Sequence, residues 1–115
     1  MLERFKIVYS EEAIAFLKSL PVKASEKIAY NISKSMIFTD SELFKKLEGT
    51  EIWEFRTFYN GAKYRLLAFW DTAEDTLVIA THGFVKKTQK TPLKEISKAE
   101  AIRKEYFKTK EQRRL

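Results

Sequence analysis

Ile52-Trp53-Glu54-Phe55-Arg56-Thr57-Phe58-Tyr59-Asn60-Gly61-Ala62-Lys63-Tyr64-Arg65-Leu66-Leu67-Ala68-Phe69-Trp70 is the stretch that decides the fold. Trp53, Phe55, Thr57 and Tyr59 alternate with Ile52, Glu54, Arg56 and Phe58. A period of two residues is that of a strand with two different faces. Asn60-Gly61 is a strong hairpin-turn signal, because both residues tolerate the positive φ that tight turns require. Beyond it, Tyr64, Leu66, Ala68 and Trp70 share one face, and Arg65, Leu67 and Phe69 share the other. Asp71 to Asp75 reads as a polar loop and Leu77 to His82 as a further strand, which makes a three-stranded meander.

Working toward the N-terminus, the period changes to that of a helix. Asp40 to Leu47 is expected to form a short helical turn carrying Leu43, Phe44 and Leu47. Ile28, Ile32 and Met36 recur every four residues, which predicts a helix from about 22 to 38. Ala13, Phe16, Leu17 and Leu20 form the apolar stripe of an earlier helix, with Ser10 as its cap and Glu11 and Glu12 in its first turn. Pro21 cannot easily continue that helix but suits the start of the next, so the two form a helical hairpin. Phe5 to Tyr9 reads as a first strand.

Toward the C-terminus, Thr91-Pro92 opens a last helix, as N-cap and first helical residue, with Glu95 near its positive end. Ile96, Ala99, Ile102 and Tyr106 form its apolar stripe, and Lys94, Lys98, Lys104 and Lys108 occupy the opposite arc. Residues 110–115 are expected to fray. The order of strand, two helices, three strands and helix predicts one α+β domain over residues 1–115. A twisted antiparallel sheet of about four strands is expected, with the helical hairpin and the C-terminal helix packed on one face.

The chain has 115 residues, 44% hydrophobic and 33% charged, and no cysteine, which rules out disulfides and thiolate metal sites. No apolar run approaches the ~18 residues that suggest a membrane span, and the N-terminus lacks a signal-peptide pattern. A cytoplasmic protein is expected. The net charge of +6 is unevenly placed: residues 1–82 carry 11 basic and 12 acidic side chains, and residues 83–115 carry 11 and 4. Such polarity is a footprint for a polyanion, although a solvated basic tail would read the same way.

The alternation that sends Trp53 and Phe55 into a core turns Glu54 and Arg56 outward, and Arg65 joins them if the Asn60-Gly61 turn sets a simple register. Lys86 and Lys87 follow the third strand of the meander. These four cations, Arg56, Arg65, Lys86 and Lys87, suit cleavage of RNA by its own 2′-hydroxyl. The guanidinium fork fits phosphate oxygens and never loses its proton, and a lysine crowded by cations has a lowered pKa fit for proton transfer. Glu54 competes as general base. A solvated sheet face with Arg56 merely paired to Glu54 or Glu51 is the bland reading. His82, the only histidine, reads as structural, and one histidine without cysteine argues against a transition-metal site. With three glycines there is no phosphate-binding loop. Most aromatics read as core, with Phe69 and Tyr59 the candidates for stacking on a base.

Ile52-Trp53-Glu54-Phe55-Arg56, Lys63-Tyr64-Arg65-Leu66 and His82-Gly83-Phe84-Val85-Lys86-Lys87-Thr88-Gln89-Lys90-Thr91-Pro92, followed by Glu95-Ile96 and Ala99, together resemble the phage-derived HigB-like toxins of the RelE/ParE superfamily, members of type II toxin–antitoxin systems. The likeness spans almost the whole chain, and the segment from Gly83 to Pro92 is its most specific part. It implies a RelE-like fold and a metal-independent, cofactor-free endoribonuclease that cuts mRNA in the ribosomal A site, leaving a 2′,3′-cyclic phosphate. It also implies a complex with a small helix-turn-helix antitoxin, HigA-like in kind. By position, Arg65 resembles the arginine that contacts the scissile phosphate, Arg56 a basic position on the preceding strand, and Lys86-Lys87 the basic group after the next strand. Glu54 stands where some relatives have lysine and others a carboxylate. The best-studied RelE members carry a tyrosine or histidine near the C-terminus, whereas here the loop enters a helix, so the resemblance does not name the proton donor, and Lys86, Lys87 and Glu54 are the proton-transfer candidates read from the residues. Lys90, Lys94, Lys98, Lys104 and Lys108 are the expected contacts to RNA or ribosome. A ParE-like inhibitor of DNA gyrase and an RNA-binding module without cleavage stay open as alternatives.

Overall fold

The computed structural model describes residues 2–73 and 77–114. Its elements are β1 (Lys6–Tyr9), α1 (Glu11–Ser19), α2 (Val22–Ile37), β2 (Phe44–Lys46), β3 (Trp53–Tyr59), β4 (Ala62–Asp71), β5 (Leu77–Lys86) and α3 (Leu93–Arg114). The class is α+β, as the sequence predicts, but the sheet has five strands in the order β1-β5-β4-β3-β2 and is mixed. β1 runs parallel to β5, and the other pairs are antiparallel.

The extra strand replaces the expected helical turn at Asp40–Leu47. The Asp40 carbonyl accepts from the amides of Leu43 and Phe44, so a single turn forms, and the chain then extends. Phe44 is the cause: it lies opposite Phe55 in the ladder and stacks on its ring at 4.1 Å between centroids. Phe5 and Trp53 close round it at 5.3 and 4.8 Å. Burying one large ring among three others outweighs a few local hydrogen bonds.

The helices occupy both faces, and the expectation of a single helical face is corrected here. α1 and α2 cover the face of Phe55, Leu66, Ala68, Val78 and Ala80. Ser10 caps α1 as predicted, accepting from the Ala13 amide at 3.0 Å while its hydroxyl donates to the Thr81 carbonyl at 2.6 Å. α3 lies on the opposite face, where Ala99, Ile96, Tyr106 and Phe107 pack on Leu67, Phe69 and Ile79. Both strand faces offer apolar rows, so a second layer is needed to dry the Leu67 row.

α3 starts one residue later than predicted, with the Pro92 carbonyl accepting from Glu95 and Ile96. It continues to Arg114 where the sequence predicts fraying, while Leu115 lies outside the described residues. Asp71, read from sequence as the start of a polar loop, is fully buried at the end of β4 and binds this helix. Its carboxylate accepts from the Tyr106 hydroxyl at 2.6 Å, the Lys110 ammonium at 2.5 Å and the Ala73 amide at 3.0 Å. Burial alone would raise the pKa of Asp71, but these donors outweigh it and hold the carboxyl below its ordinary range.

Candidate functional site

The register of the meander builds a grid on the α3 face. Glu54, Leu67 and His82 form one row across β3, β4 and β5, Arg56, Arg65 and Phe84 the next, and Phe58, Lys63 and Lys86 the last. The Asn60-Gly61 turn, with φ of 49° and 81°, fixes this pairing, so Arg56 stands directly opposite Arg65. α3 covers the first row. Beyond it lies a cleft of about 300 Å³ lined by Arg56, Arg65, Lys63, Lys86, Phe58, Thr57, Gln89 and Glu42.

Two arginines facing each other across a ladder repel. Glu54, 3% exposed, offsets this: its Oε1 lies 3.3 Å from Arg65 Nε and 3.6 Å from Arg56 Nε. Its Oε2 accepts a short hydrogen bond from Thr91 at the mouth of α3. Glu42 approaches Arg56 at 3.9 Å from the solvent side. The arginines are held by charge rather than by aligned hydrogen bonds, since neither Nε has a bonded partner. Among the described residues, the only hydrogen bond of the Arg65 guanidinium is from Nη1 to the Tyr64 carbonyl at 3.0 Å. A buried guanidinium with spare donors facing a cleft is a ready seat for a phosphate.

Burial pushes the Arg65 pKa down from its ordinary value, Glu54 opposes, and Arg56 pushes further down. The group stays charged at any working pH. Lys86 is also lowered, first by burial; Glu54 works against the shift, and Arg65, Arg56 and Lys63 add to it. Its ammonium is a better acid than that of an ordinary lysine.

Of the residues singled out from sequence, the structure brings Glu54, Arg56, Arg65 and Lys86 together. Lys87 is exposed and lies outside the cleft, lining an adjacent depression with Lys63 and Lys86. Lys90, Lys94, Lys98, Lys104 and Lys108 are exposed, none of them lines the cleft, and Lys98 pairs with Glu12 at 2.7 Å. Phe69 is buried beneath Tyr106 and Phe107, so stacking on a base is corrected to a packing role. Tyr59 is half-buried and belongs to the opposite row. His82 is buried, with Nε2 3.2 Å from Glu95 Oε1 and Nδ1 3.1 Å from Thr81 Oγ1. Its pKa is pushed below the ordinary value by burial, against the Glu95 hydrogen bond. Among the described residues no group of three or more acidic or histidine side chains is placed to hold a metal ion. Lys63 and Phe58 are not singled out by the sequence as site residues, although alternation puts them on the faces of Arg65 and Arg56.

The fold and site thus define an α+β protein that gathers four cations over one open sheet face around a buried carboxylate. The family model described as Phage derived protein Gp49-like (DUF891) matches residues 15–104, and the chain belongs to this family. The family is associated with toxin–antitoxin modules. The matched residues include every row of the grid. No curated protein matches the chain. No helix among the described residues is long and apolar enough to cross a membrane.

Proposed function

We propose that the chain is the toxin of a toxin–antitoxin pair and acts in the cytoplasm on mRNA in the ribosomal A site. The observation that carries this reading is the direct opposition of Arg56 and Arg65, with Lys63 and Lys86 in the next row. The RNA 2′-oxygen attacks the adjacent phosphorus, the bond from phosphorus to the 5′-oxygen breaks, and a 2′,3′-cyclic phosphate and a 5′-hydroxyl remain. Arg65 and Arg56 stabilise the added charge on the phosphorane. Lys86 gives its proton to the departing 5′-oxygen, the 2′-hydroxyl proton passes to water, and Lys86 recovers a proton from water. Glu54, with both oxygens engaged, serves as counter-ion to the arginines. A helix-turn-helix antitoxin keeps the chain silent until it is removed.

Brief induction of the chain alone, followed by mapping of mRNA 5′ ends, tests the proposal. The expected result is growth arrest with new ends inside translated reading frames. Arg65→Ala should lower cutting by about 10²–10³-fold, the usual loss for one charge-stabilising donor. Arg65→Lys should recover little of it, because an ammonium cannot reproduce the planar fork. Arrest with intact transcripts would refute the assignment.

A further inference from the structure

Phe58 is 65% exposed and stands two residues from Arg56, at the edge of the charge network. It sits in the same row as Lys63 and Lys86, two residues along β3 from Arg56 and on the same face. It also lines the cleft that holds all four cations. A two-residue step along a strand is roughly 7 Å, so the ring stands about one nucleotide from the Arg56–Arg65 pair. Phosphate grip and flat apolar face are the two components of single-strand recognition. A cation cluster alone holds any phosphate. An exposed ring beside it selects a ligand whose base is already unstacked.

Resting on the reading of the cleft as a phosphate site, we infer that Phe58 is the platform on which a base of single-stranded RNA stacks, next to the phosphate gripped by Arg56 and Arg65. The class of substrate is therefore a single strand with a splayed base. A duplex keeps its bases inside and offers the ring nothing. The contact is indifferent to base identity, since every base has a π-face.

The test uses a 2′-O-methyl hexanucleotide, which lacks the attacking hydroxyl and so reports binding alone by fluorescence anisotropy. The wild-type chain is compared with Phe58→Ala, Phe58→Leu, Phe58→Trp and Arg65→Ala. Phe58→Ala and Phe58→Leu should weaken binding about 5- to 150-fold, the range found for single base–aromatic stacks. Phe58→Trp should hold it, because tryptophan is flat and leucine is not. An abasic residue moved through the hexamer should weaken the wild type at one position and leave Phe58→Ala no weaker there, as coupling between the two requires. A matched duplex should bind without regard to Phe58. If Arg65→Ala loses binding while Phe58→Ala and Phe58→Leu equal the wild type, the stacking role is overturned and the phosphate site stands. If the wild-type chain binds the hexamer neither free nor in the A site of a ribosome, both fall.

Discussion

Replacing Glu54 by glutamine separates two roles that a carboxylate in this cleft could fill. The side chain is 3% exposed and lies within 3.3 and 3.6 Å of the Nε atoms of Arg65 and Arg56. Glutamine keeps its shape, and by turning the amide it still offers an oxygen to the arginines and an N–H to Thr91. The loss is one of charge alone. Two opposed guanidinium groups then lack their shared counter-ion, and breaking a buried pair in this way costs about 3–5 kcal/mol. Arg56 retains some water contact, which places the expected loss at the lower end, about 3 kcal/mol. For a chain of this size that lowers Tm by roughly 10 °C. The emptied negative charge leaves the cleft more attractive to phosphate, so oligonucleotide affinity should hold or rise, and bound oligonucleotide should restore much of the lost Tm. Thermal melts with and without the 2′-O-methyl hexamer read both effects, and single-turnover cutting reads the third. Cutting should fall less than about tenfold, whereas removal of a general base costs about 10²–10⁴-fold. An unchanged Tm would refute the counter-ion reasoning, and a hundredfold loss of cutting with binding intact would show that the carboxylate takes the proton.

Gly83→Ala should destabilise the fold at a distance from the cleft, because a Cβ there would meet the Phe16 ring of α1 at 2.1 to 2.7 Å. Overpacking of this kind costs about 1–3 kcal/mol, to be read as a lower denaturation midpoint at constant slope; an unchanged midpoint would mean that α1 is not seated on β5 at this point. His82 should make stability depend on pH. Burial lowers its pKa in the folded chain, assisted by Lys98 and opposed by Glu95 and Glu12, so the unfolded chain binds the proton more readily. The contribution is fully present above the unfolded value of about 6.5 and is lost as pH falls through the lower folded value. Melts between pH 7.5 and 5.5 should slope downward toward acid, and His82→Gln should flatten that slope; equal slopes would place the proton uptake elsewhere.

Most of the architecture was legible because its causes are local. The alternation in β3 and β4 and the Asn60-Gly61 turn fix two strands and their register without help from the rest of the chain. The same alternation was enough to place Glu54, Arg56, Phe58 and Arg65 on one face, and extended two residues back from Arg65 it puts Lys63 there as well. What escaped depends on distant partners. β2 exists because Phe44 finds Phe5 and Phe55, and α3 takes the far face because Leu67, Phe69 and Ile79 need covering. Asp71 looks like a loop residue until Tyr106 and Lys110 arrive from 35 and 39 residues away.

Which lysine of the Lys86-Lys87 pair enters the cleft turns on one residue that no local pattern marks. Val78 and Ala80 belong to the core under α1 and α2, and Ile79 to the core under α3. Strict alternation from there would send Thr81, Gly83, Val85 and Lys87 toward α3, leaving Lys86 on the wrong side of the sheet. The ladder instead slips between Leu67 and Ala68, which pair with His82 and Ala80, so Thr81 is the extra residue of a β-bulge. Its hydroxyl bonds to the Leu67 carbonyl at 3.2 Å, and its own carbonyl takes the Ser10 cap of α1. The slip turns His82, Phe84 and Lys86 to the α3 face and brings Gly83 under Phe16, where no side chain would fit. One inserted residue thus joins the seating of α1 to the delivery of the Lys86 ammonium beside Arg65. It also explains why the sequence alone left the two lysines equivalent: their roles are assigned five residues upstream, by a bulge whose bonds go to β4 and α1.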